Sequence, residues 1–329
     1  MCKILMNNGI QNYLLPVPVA LFFVLLLGFQ NMQAQPFSPG TPEILIESES
    51  RYFMSPKWSP DGSRIAFTSA EYRGLWTASA DGSEIEQLSQ DESAGYGFSW
   101  SSDGSSILSR TASYEDRHRL HAVKRFDVET KTEHVIRDYS RERTGVPQWT
   151  DMDQRIAVPM RESIEMVESG IQPADRQKRL LDEAVLVSRD NRIEKTPVAD
   201  EQPEVVVELE DRRILNITPS PDGSVIAFQV IGEGLFLIDA DGSDLCELGR
   251  GEDPAWTPDG KYVIAVITED DGHHITGSEI YAIDIDTGER HHLTSGTDMI
   301  ALHPSVSPDG TRIAFTDNES GNIYAMPIR

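Results

Sequence analysis

The stretch "WSPDGSRIAF" (residues 58–67) joins the end of one predicted strand to the start of the next. In "SPDG" the proline presets φ at the first central position of a tight turn, and Asp suits the second. Gly then accepts the positive φ with which the chain enters the following strand. Close copies are "TPSPDGSVIAF" (218–228), "WTPDGKYVIA" (256–265) and "VSPDGTRIAF" (306–315). The chain therefore contains a repeat.

The repeat has a register that single residues mark. With Asp61 as the marker, the equivalent positions are Asp103, Met152, Asp222, Asp259 and Asp309. Three residues before the marker stand Trp58, Trp100, Trp149 and Trp256, and four residues after it stand Ile65, Ile107, Ile156, Ile226, Val263 and Ile313. Two such sets do not fall into register by coincidence, so the repeat is a strong signal for the fold.

Each unit is predicted to hold four strands. A second turn follows the first, as in "TASADGSEIEQL" (77–88) and "LIDADGSDLCEL" (237–248). Four-stranded units of roughly 40 to 50 residues are propeller blades. Six markers predict an all-β, six-bladed β-propeller. Its last blade ends after three strands, and we expect "EILIE" (43–47) to supply the fourth and close the ring, which removes raw sheet edges.

These units resemble the WD40-like Pro-Asp repeats of the TolB propeller family, and the resemblance covers residues 43–329. It implies a TolB-like propeller fold. TolB proteins carry an additional α/β domain before the propeller, which we do not find in this sequence. The resemblance therefore carries over only part of the family's role as a periplasmic partner of envelope proteins.

The N-terminal residues are typical of an export signal. The apolar run "YLLPVPVALFFVLLLGF" (13–29) follows a segment whose only charge is Lys3, and small and polar residues come next. This order predicts a signal peptide over 1–34 with cleavage after Ala34, then a linker over 35–42. An uncleaved membrane anchor is the alternative. With the signal removed, we expect a periplasmic or secreted protein without membrane insertion.

The formal net charge of −25 argues against nucleic acid as a partner, because phosphates require basic surfaces. Much of this charge lies in the predicted turns, which blade topology places on one face of the ring. We name this surface the turn face; it carries Asp61, Asp81, Asp103, Asp222, Asp241, Asp259, Asp286 and Asp309. Their simplest interpretation is turn chemistry, not an acidic site.

The opposite surface, which we name the loop face, carries the second-to-third-strand loops and the connections between blades. These loops are rich in Tyr and Arg, the residues that make binding hot spots. The candidate binding residues are Tyr52, Tyr72, Arg73, Tyr96, Tyr114, Arg117, Tyr139, Arg141, Arg143, His273 and His303. The alternative is that these side chains only cover neighbouring blades. Such a face suits a peptide, an acidic protein or a sugar carboxylate.

Two of these histidines raise the question of a metal. His273 and His303, with Asp271 and Asp298, offer the ligand types of a divalent cation, but their spacing matches no known ligand set. The sequence predicts no metal site and no cofactor, and these four residues are the candidates if a metal is bound. No nucleophile elbow, phosphate loop or His-Glu-x-x-His helix is present.

The interval of 70 residues between Met152 and Asp222 is the main irregularity. It is too short for two standard blades and too long for one. Residues 161–184 are the predicted insertion, in blade three, with helical character from Ala174. Long loops in compact domains often have a function, and this one leaves from the loop face.

The sequence favours an exported, non-catalytic, monomeric propeller that acts as a protein-binding or scaffold module of the cell envelope. A protein or peptide is the expected partner, and a glycan is the alternative ligand. A second hypothesis is a carbohydrate-active enzyme, a lyase or hydrolase, that uses the central channel and a metal. The two differ in whether titratable groups converge at the channel mouth.

Overall fold

The Trp-turn-Ile repeat folds into one antiparallel sheet per unit. The computed structural model describes residues 37–48, 50–171, 184–198 and 202–329, which form 26 strands in seven sheets. The inner strands of neighbouring sheets contact each other or are joined by hydrogen bonds around a ring. The protein is therefore a seven-bladed β-propeller, and the prediction of six blades is wrong.

The strands follow the order of the chain, blade by blade. The first is β1 (Glu43–Ile46). Blade 1 contains β2 (Phe53–Trp58), β3 (Arg64–Ser69), a 3₁₀ turn (Ala70–Tyr72), β4 (Leu75–Ser79) and β5 (Glu86–Ser89). Blade 2 contains β6 (Ser99–Trp100), β7 (Ser106–Glu115), β8 (His118–Asp127) and β9 (Glu133–Ser140). Blade 3 contains β10 (Gln148–Thr150), β11 (Arg155–Pro159) and β12 (Ile164–Glu168).

The second half of the ring continues in the same way. Blade 4 contains β13 (Ala184–Arg189), β14 (Arg192–Pro197) and β15 (Glu204–Glu208). Blade 5 contains β16 (Ile214–Pro219), β17 (Val225–Val230), β18 (Gly234–Asp239) and β19 (Cys246–Gly249). Blade 6 contains β20 (Glu252–Trp256), β21 (Tyr262–Asp270), β22 (Ile275–Asp284) and β23 (Arg290–His292). Blade 7 contains β24 (Ala301–Val306), β25 (Arg312–Asp317) and β26 (Ile323–Pro327).

The N-terminal strand completes blade 7, in the way its sequence predicts. Strand β1 pairs antiparallel with β26, with Glu43 opposite Ala325 and Ile44 opposite Tyr324. Its last residue, Ile46, is fully buried. The two ends of the described chain therefore meet in one sheet, and the ring closes through strand pairing.

The sequence missed blade 4 because this blade carries no Trp and no Pro-Asp-Gly turn. In the described residues, blades 3 and 4 have three strands each. Two three-stranded sheets fit the interval between Met152 and Asp222, although two standard blades do not. The prediction of six blades was wrong because it assumed four strands in every blade.

Blade 4 also runs in the opposite sense to its neighbours. Its inner strand β13 ends at a two-residue turn, and the carbonyl of Asp190 in that turn accepts the Ile214 amide at 2.7 Å. Ile214 begins the inner strand of blade 5, at the loop-face end. Strand β13 therefore runs from the turn face to the loop face, whereas the other inner strands run the reverse way. The turn that follows β13 therefore lies on the loop face, whereas the Pro-Asp-Gly turns that follow other inner strands lie on the turn face.

The register residues hold the blades together. The six Ile and Val residues that follow the marker by four positions are all fully buried between blades. Burying one such side chain contributes about 2 kcal/mol. The indole N–H of Trp100 donates to the carbonyl of Lys57 at 3.0 Å, and that of Trp149 to Ser99 at 3.3 Å. Each of these Trp residues thus fixes its blade to the preceding one.

The turn-face carboxylates serve their own turns. Asp222 accepts hydrogen bonds from the Ser220 hydroxyl at 2.7 Å and from the Ser224 amide at 3.0 Å. Asp61 and Asp309 do the same in blades 1 and 7. The hydrogen bond from the preceding seryl hydroxyl is the main cause that lowers the pKa of each carboxyl below its usual value, and the backbone amide lowers it further. The interpretation of these acids as turn chemistry is confirmed.

Several predicted segments fall partly or wholly outside the described residues. These are the signal peptide, the start of the linker and the helical part expected from Ala174. Of the predicted insertion, residues 164–168 form β12 and pair with β11. In the part of the chain that the structure describes, no helix has the length and apolar composition to cross a membrane.

Candidate binding pocket on the loop face

A cavity of about 980 Å³ opens on the loop face. Its lining comes from four consecutive blades and the connections between them. We name it the loop-face pocket; it is lined by Glu71, Tyr72, Ser93, Tyr96, Arg110, Arg119, Glu142, Arg143, Thr144, Gly145, Val146, Met160, Arg161 and Ser188. The cavity lies at the upper end of the volume range of small-molecule sites.

Blade 1 supplies the aromatic wall of the pocket. The 3₁₀ turn places Glu71 and Tyr72 in the left-handed region, with φ of 61° and 57°. Their positive φ turns the chain back sharply before β4. The Tyr72 carbonyl accepts the Gly95 amide at 3.0 Å, and the Tyr72 and Tyr96 rings meet edge to face at 5.2 Å. The two tyrosines form one rigid unit.

The aromatic wall requires glycine at position 95, because the backbone there packs closely against blade 1. A Cβ atom at Gly95 would lie 1.8 Å from Oγ1 of Thr68, on the neighbouring strand β3. The Thr68 hydroxyl is itself held, because it donates to the Gly74 carbonyl at 2.8 Å. Only glycine lets the connection that carries Tyr96 lie directly on blade 1.

Blade 2 supplies two of the arginines. Strands β7 and β8 pair over their full ten residues and end in a two-residue turn. Asp116 and Arg117 have φ of 46° and 68°, as a type I′ turn requires. This hairpin is longer than the corresponding hairpin of blade 1. Its loop-face half presents Arg110 and Arg119 to the pocket.

Arg110 is the most enclosed charged residue of the pocket, with 9% of its surface exposed. Its Nη1 donates to the Thr144 carbonyl at 2.5 Å, and the guanidinium lies 4.9 Å from the Tyr96 ring centroid. Its Nε has no hydrogen-bond partner. Burial lowers the pKa of Arg110, and the nearby Arg143 and Arg119 lower it further. The guanidinium of Arg119 is also held in place, because it donates a hydrogen bond to the Ser93 hydroxyl.

The connection between blades 2 and 3 forms the opposite wall. The Gly145 amide donates to the Pro159 carbonyl at 2.6 Å, which ties this connection to the end of β11. A Cβ at Gly145 would approach Cβ of Pro159 to 2.9 Å. The adjacent Thr144 is almost fully buried, and its hydroxyl has no partner. The pocket wall therefore holds an unused hydroxyl next to Arg110.

The electrostatics of the pocket differ from those of the whole chain. Among the described residues, no carboxylate lies within 4.0 Å of the guanidinium groups of Arg110, Arg119, Arg143 or Arg161. Elsewhere on the loop face, Arg73 pairs with Glu92 at 2.7 Å. A chain with a net charge of −25 thus holds a local cluster of unpaired positive charge.

The structure separates the predicted binding residues into two groups. Tyr72, Tyr96 and Arg143 line the pocket. The rest lie outside it and include several with structural contacts. The Tyr52 hydroxyl donates to Asn318 at 2.7 Å, Arg73 pairs with Glu92, and the Tyr139 ring covers Lys124; Tyr114, Arg117 and Arg141 are exposed.

The proposed metal ligands are not brought together. The carboxylate of Asp271 accepts the backbone amides of His273 and His274 within a hairpin tip of blade 6. Asp298 is exposed, and His303 is partly buried in the inner strand of blade 7. In the described ranges, no three or more His, Cys, Asp or Glu side chains are placed to hold a metal ion.

His303 belongs instead to a repeated position at the channel. Six residues before the marker, Ser55, Asn216, Asp253 and His303 all have positive φ, between 48° and 55°. Each lies at a bulge of its inner strand. Nδ2 of Asn216 donates to Asp253 at 2.9 Å. Burial raises the pKa of Tyr72, and the charge of Asp253 adds to this rise.

Sequence reasoning missed Arg110, Arg119 and Arg161. Arg110 stands seven residues after its marker, where the other marked blades have Thr68, Pro159, Gln229, Val266 and Thr316. The sequence did contain a signal for Arg110, because this strand position carries a charge in blade 2 and an uncharged residue in the other marked blades. Arg119 was hidden because "ASYEDRHRL" (112–120) reads as a loop, although most of it continues the hairpin.

Comparisons with known proteins agree with the fold. No family model and no curated protein matches the chain. The β-propeller domain of Cps50 (Swd1) from Myceliophteria thermophila is similar over 89% of this chain and 100% of that one, with 10% identity and a TM-score of 0.63. A chain of the mitotic checkpoint complex is similar over 98% and 99%, with 14% identity and a TM-score of 0.58. A putative TolB from Agrobacterium tumefaciens is similar over 85% and 91%, with 15% identity and a TM-score of 0.53. At these identities the likeness shows the propeller fold alone.

Proposed function

We propose that this chain is an exported, non-catalytic propeller that binds another protein through its loop face. The observation that carries the proposal is the loop-face pocket, in which four consecutive blades gather two tyrosines and four arginines. Tyr and Arg dominate the energetics of protein interfaces, above all where they are held rigidly at a partly enclosed site. Export is supported by the apolar run at 13–29.

The distribution of charge supports the same function. Seven of the eight turn-face carboxylates, all except that of Asp286, accept hydrogen bonds from donors of their own turns. The pocket arginines, in contrast, have no carboxylate partner among the described residues. A partner that approaches the loop face finds donors that are free to pair. No contact in the described residues favours the carbohydrate-active enzyme, so binding is the only function proposed.

Site-specific photocrosslinking in the source cells tests this proposal. A benzoyl-phenylalanine at Tyr114 or Arg161, on the loop face, should give discrete crosslinked products with a defined protein. The same probe at Asp241 or Asp286, on the turn face, is the control and should not. Equal products from both faces, or none from the loop face, would contradict the proposal.

Variants of the aromatic wall refine the test. Tyr72→Ala and Tyr96→Ala should each lower the crosslink yield from Arg161 about tenfold or more, because hot-spot truncation costs about 2 kcal/mol. Tyr281→Ala is the matched control, since Tyr281 lies on β22 and its hydroxyl bonds Glu279 away from the pocket. An equal loss in the control would indicate a general folding defect.

A further inference from the structure

We propose that the loop-face pocket recognises carboxylate groups of an acidic peptide segment, with Arg110, Arg119 and Arg143 as the receptor. This inference rests on the proposed function and names the chemistry of the partner. Planar guanidinium groups bind carboxylates with paired hydrogen bonds, which makes Arg the residue of choice for this recognition.

The first step of the argument is the proximity of like charges. Arg110, Arg119 and Arg143 line the same cavity. Burial is the main cause that lowers the pKa of Arg110 and of the nearby His121, and the neighbouring arginines lower both pKa values further. Bringing like charges together has a cost, and folding gains nothing from it in the absence of an anion. A carboxylate between these groups would convert the repulsion into attraction.

The second step is the set of unused polar atoms. Nε of Arg110 and Oγ1 of Thr144 belong to side chains that are at least nine-tenths buried, and neither atom has a partner. Both residues line the cavity. A buried donor without an acceptor costs about 1–3 kcal/mol, so such atoms are rare unless something else satisfies them. The wall of the cavity therefore contains two buried polar atoms whose hydrogen-bonding capacity the fold itself does not use.

The third step is preorganisation. The Thr144 carbonyl and the Tyr96 ring fix the Arg110 guanidinium, and the Ser93 hydroxyl contacts that of Arg119. An arginine that is already held loses little side-chain entropy when a ligand binds. Two of the three arginines, Arg110 and Arg119, are therefore held in place before the ligand arrives.

The remaining walls favour a peptide over other anions. Tyr72, Tyr96, Val146 and Met160 give the cavity apolar surface between its charges. Glu71 and Glu142 also line it and repel a dense polyanion such as a nucleic acid. A segment that alternates acidic and apolar side chains matches this lining, and a cavity of about 980 Å³ holds several of its residues.

Fluorescence anisotropy with two labelled peptides tests the inference. The probes are GEELEE-amide and its neutral counterpart GQQLQQ-amide, each with fluorescein at the N-terminus. We expect saturable binding of the acidic peptide that weakens with added salt, and at least tenfold weaker binding of the neutral one. Equal binding of both peptides would overturn the inference, and so would displacement of the acidic peptide by digalacturonate at lower concentration than by unlabelled GEELEE-amide.

The receptor can be identified by replacing Arg119 and Arg143, which are exposed, so that the substitutions leave the hydrophobic core intact. Arg119→Gln and Arg143→Gln should each weaken binding of the acidic peptide about tenfold. Arg73→Gln is the matched control, because Arg73 lies on the same face but already pairs with Glu92, and it should change binding less than twofold. An equal effect of the control would overturn the inference, since it would assign the binding to the net charge of the face.

The two proposals fail in different ways. If the loop face gives a crosslinked partner but the acidic peptide does not bind, carboxylate recognition is wrong and the proposed function stands. If the acidic peptide binds as expected but the loop face gives no crosslinked protein, carboxylate recognition stands and a protein partner is wrong.

Discussion

The two faces of this propeller treat their charges in opposite ways. On the turn face, carboxylates such as that of Asp222 have donors two residues away on each side in the same turn. On the loop face, the guanidinium of Arg110 has an unpaired Nε and like-charged neighbours. The charges of the turn face recur from blade to blade, and Arg110 occurs once. The repeated charges complete the fold, and the charge that breaks the repeat is left for a ligand.

The largest effect should come from the backbone that positions the loop-face pocket. Gly95→Ala places a methyl group 1.8 Å from Oγ1 of Thr68, so the connection that carries Tyr96 must move. We expect a loss of about 3 kcal/mol in the free energy of unfolding, measured by chemical denaturation.

The double variant Gly95→Ala with Thr68→Ala tests the cause of that loss. Thr68→Ala removes two of the three atoms that the new Cβ would meet, Oγ1 and Cγ2, but keeps the Thr68 Cβ. The clash is therefore reduced without being abolished, and the two changes should be less harmful together than their sum. Strict additivity of the two losses would show that Gly95 matters for another reason, and the close-packing argument would be wrong.

Replacing one turn-face carboxylate should have a smaller effect on the free energy of unfolding. Asp222→Asn keeps the shape but weakens the hydrogen bonds from Ser220 and Ser224, and we expect a loss of about 1 kcal/mol near neutral pH. Because the pKa of Asp222 is lowered in the folded state, its contribution to stability is fully present above the ordinary aspartate pKa of 3.8 and is lost as the pH falls through the folded-state pKa. The difference from the wild type should therefore shrink in acid.

An acid on the loop face is the control for this prediction. Glu319 is exposed in the loop that follows β25, and it is not one of the turn-face carboxylates. Glu319→Gln should change the free energy of unfolding by no more than about 0.5 kcal/mol. A loss as large as that of Asp222→Asn would mean that net charge, and not turn hydrogen bonding, sets the effect.

The sequence predicted the parts of this molecule that repeat, and it predicted less where the repeat fails. The Trp and Ile positions around Asp61 indicated the blades, and 43–47 indicated the closing strand. Blade 4 was missed because its inner strand runs in reverse and needs no Pro-Asp-Gly turn. For the pocket, the loops indicated Tyr72, Tyr96 and Arg143 but not Arg110, because which strand residues converge depends on the closure of the ring.

The smallest effect on stability should come from the residue that we expect to matter most for binding. Arg110→Met removes a buried charge with an unpaired Nε, and it also loses the hydrogen bond to Thr144 and the contact with the Tyr96 ring. These effects oppose each other, so the free energy of unfolding should change by less than about 1 kcal/mol. Binding of the acidic peptide should fall at least tenfold.

The contrast with Arg189→Met makes this prediction decisive. Arg189 donates to the largely buried Glu194 at 2.5 Å and to the Met160 carbonyl at 3.0 Å, so it is an arginine whose charge the fold itself uses. Its removal should cost about 2 kcal/mol, because Arg192 alone then pairs with Glu194. If Arg110→Met costs as much as Arg189→Met and binding is unchanged, Arg110 is a structural residue like the carboxylates of the turn face. The opposite result would show that the fold tolerates the Arg110 cluster without gaining stability from it, as expected of a group kept for a ligand.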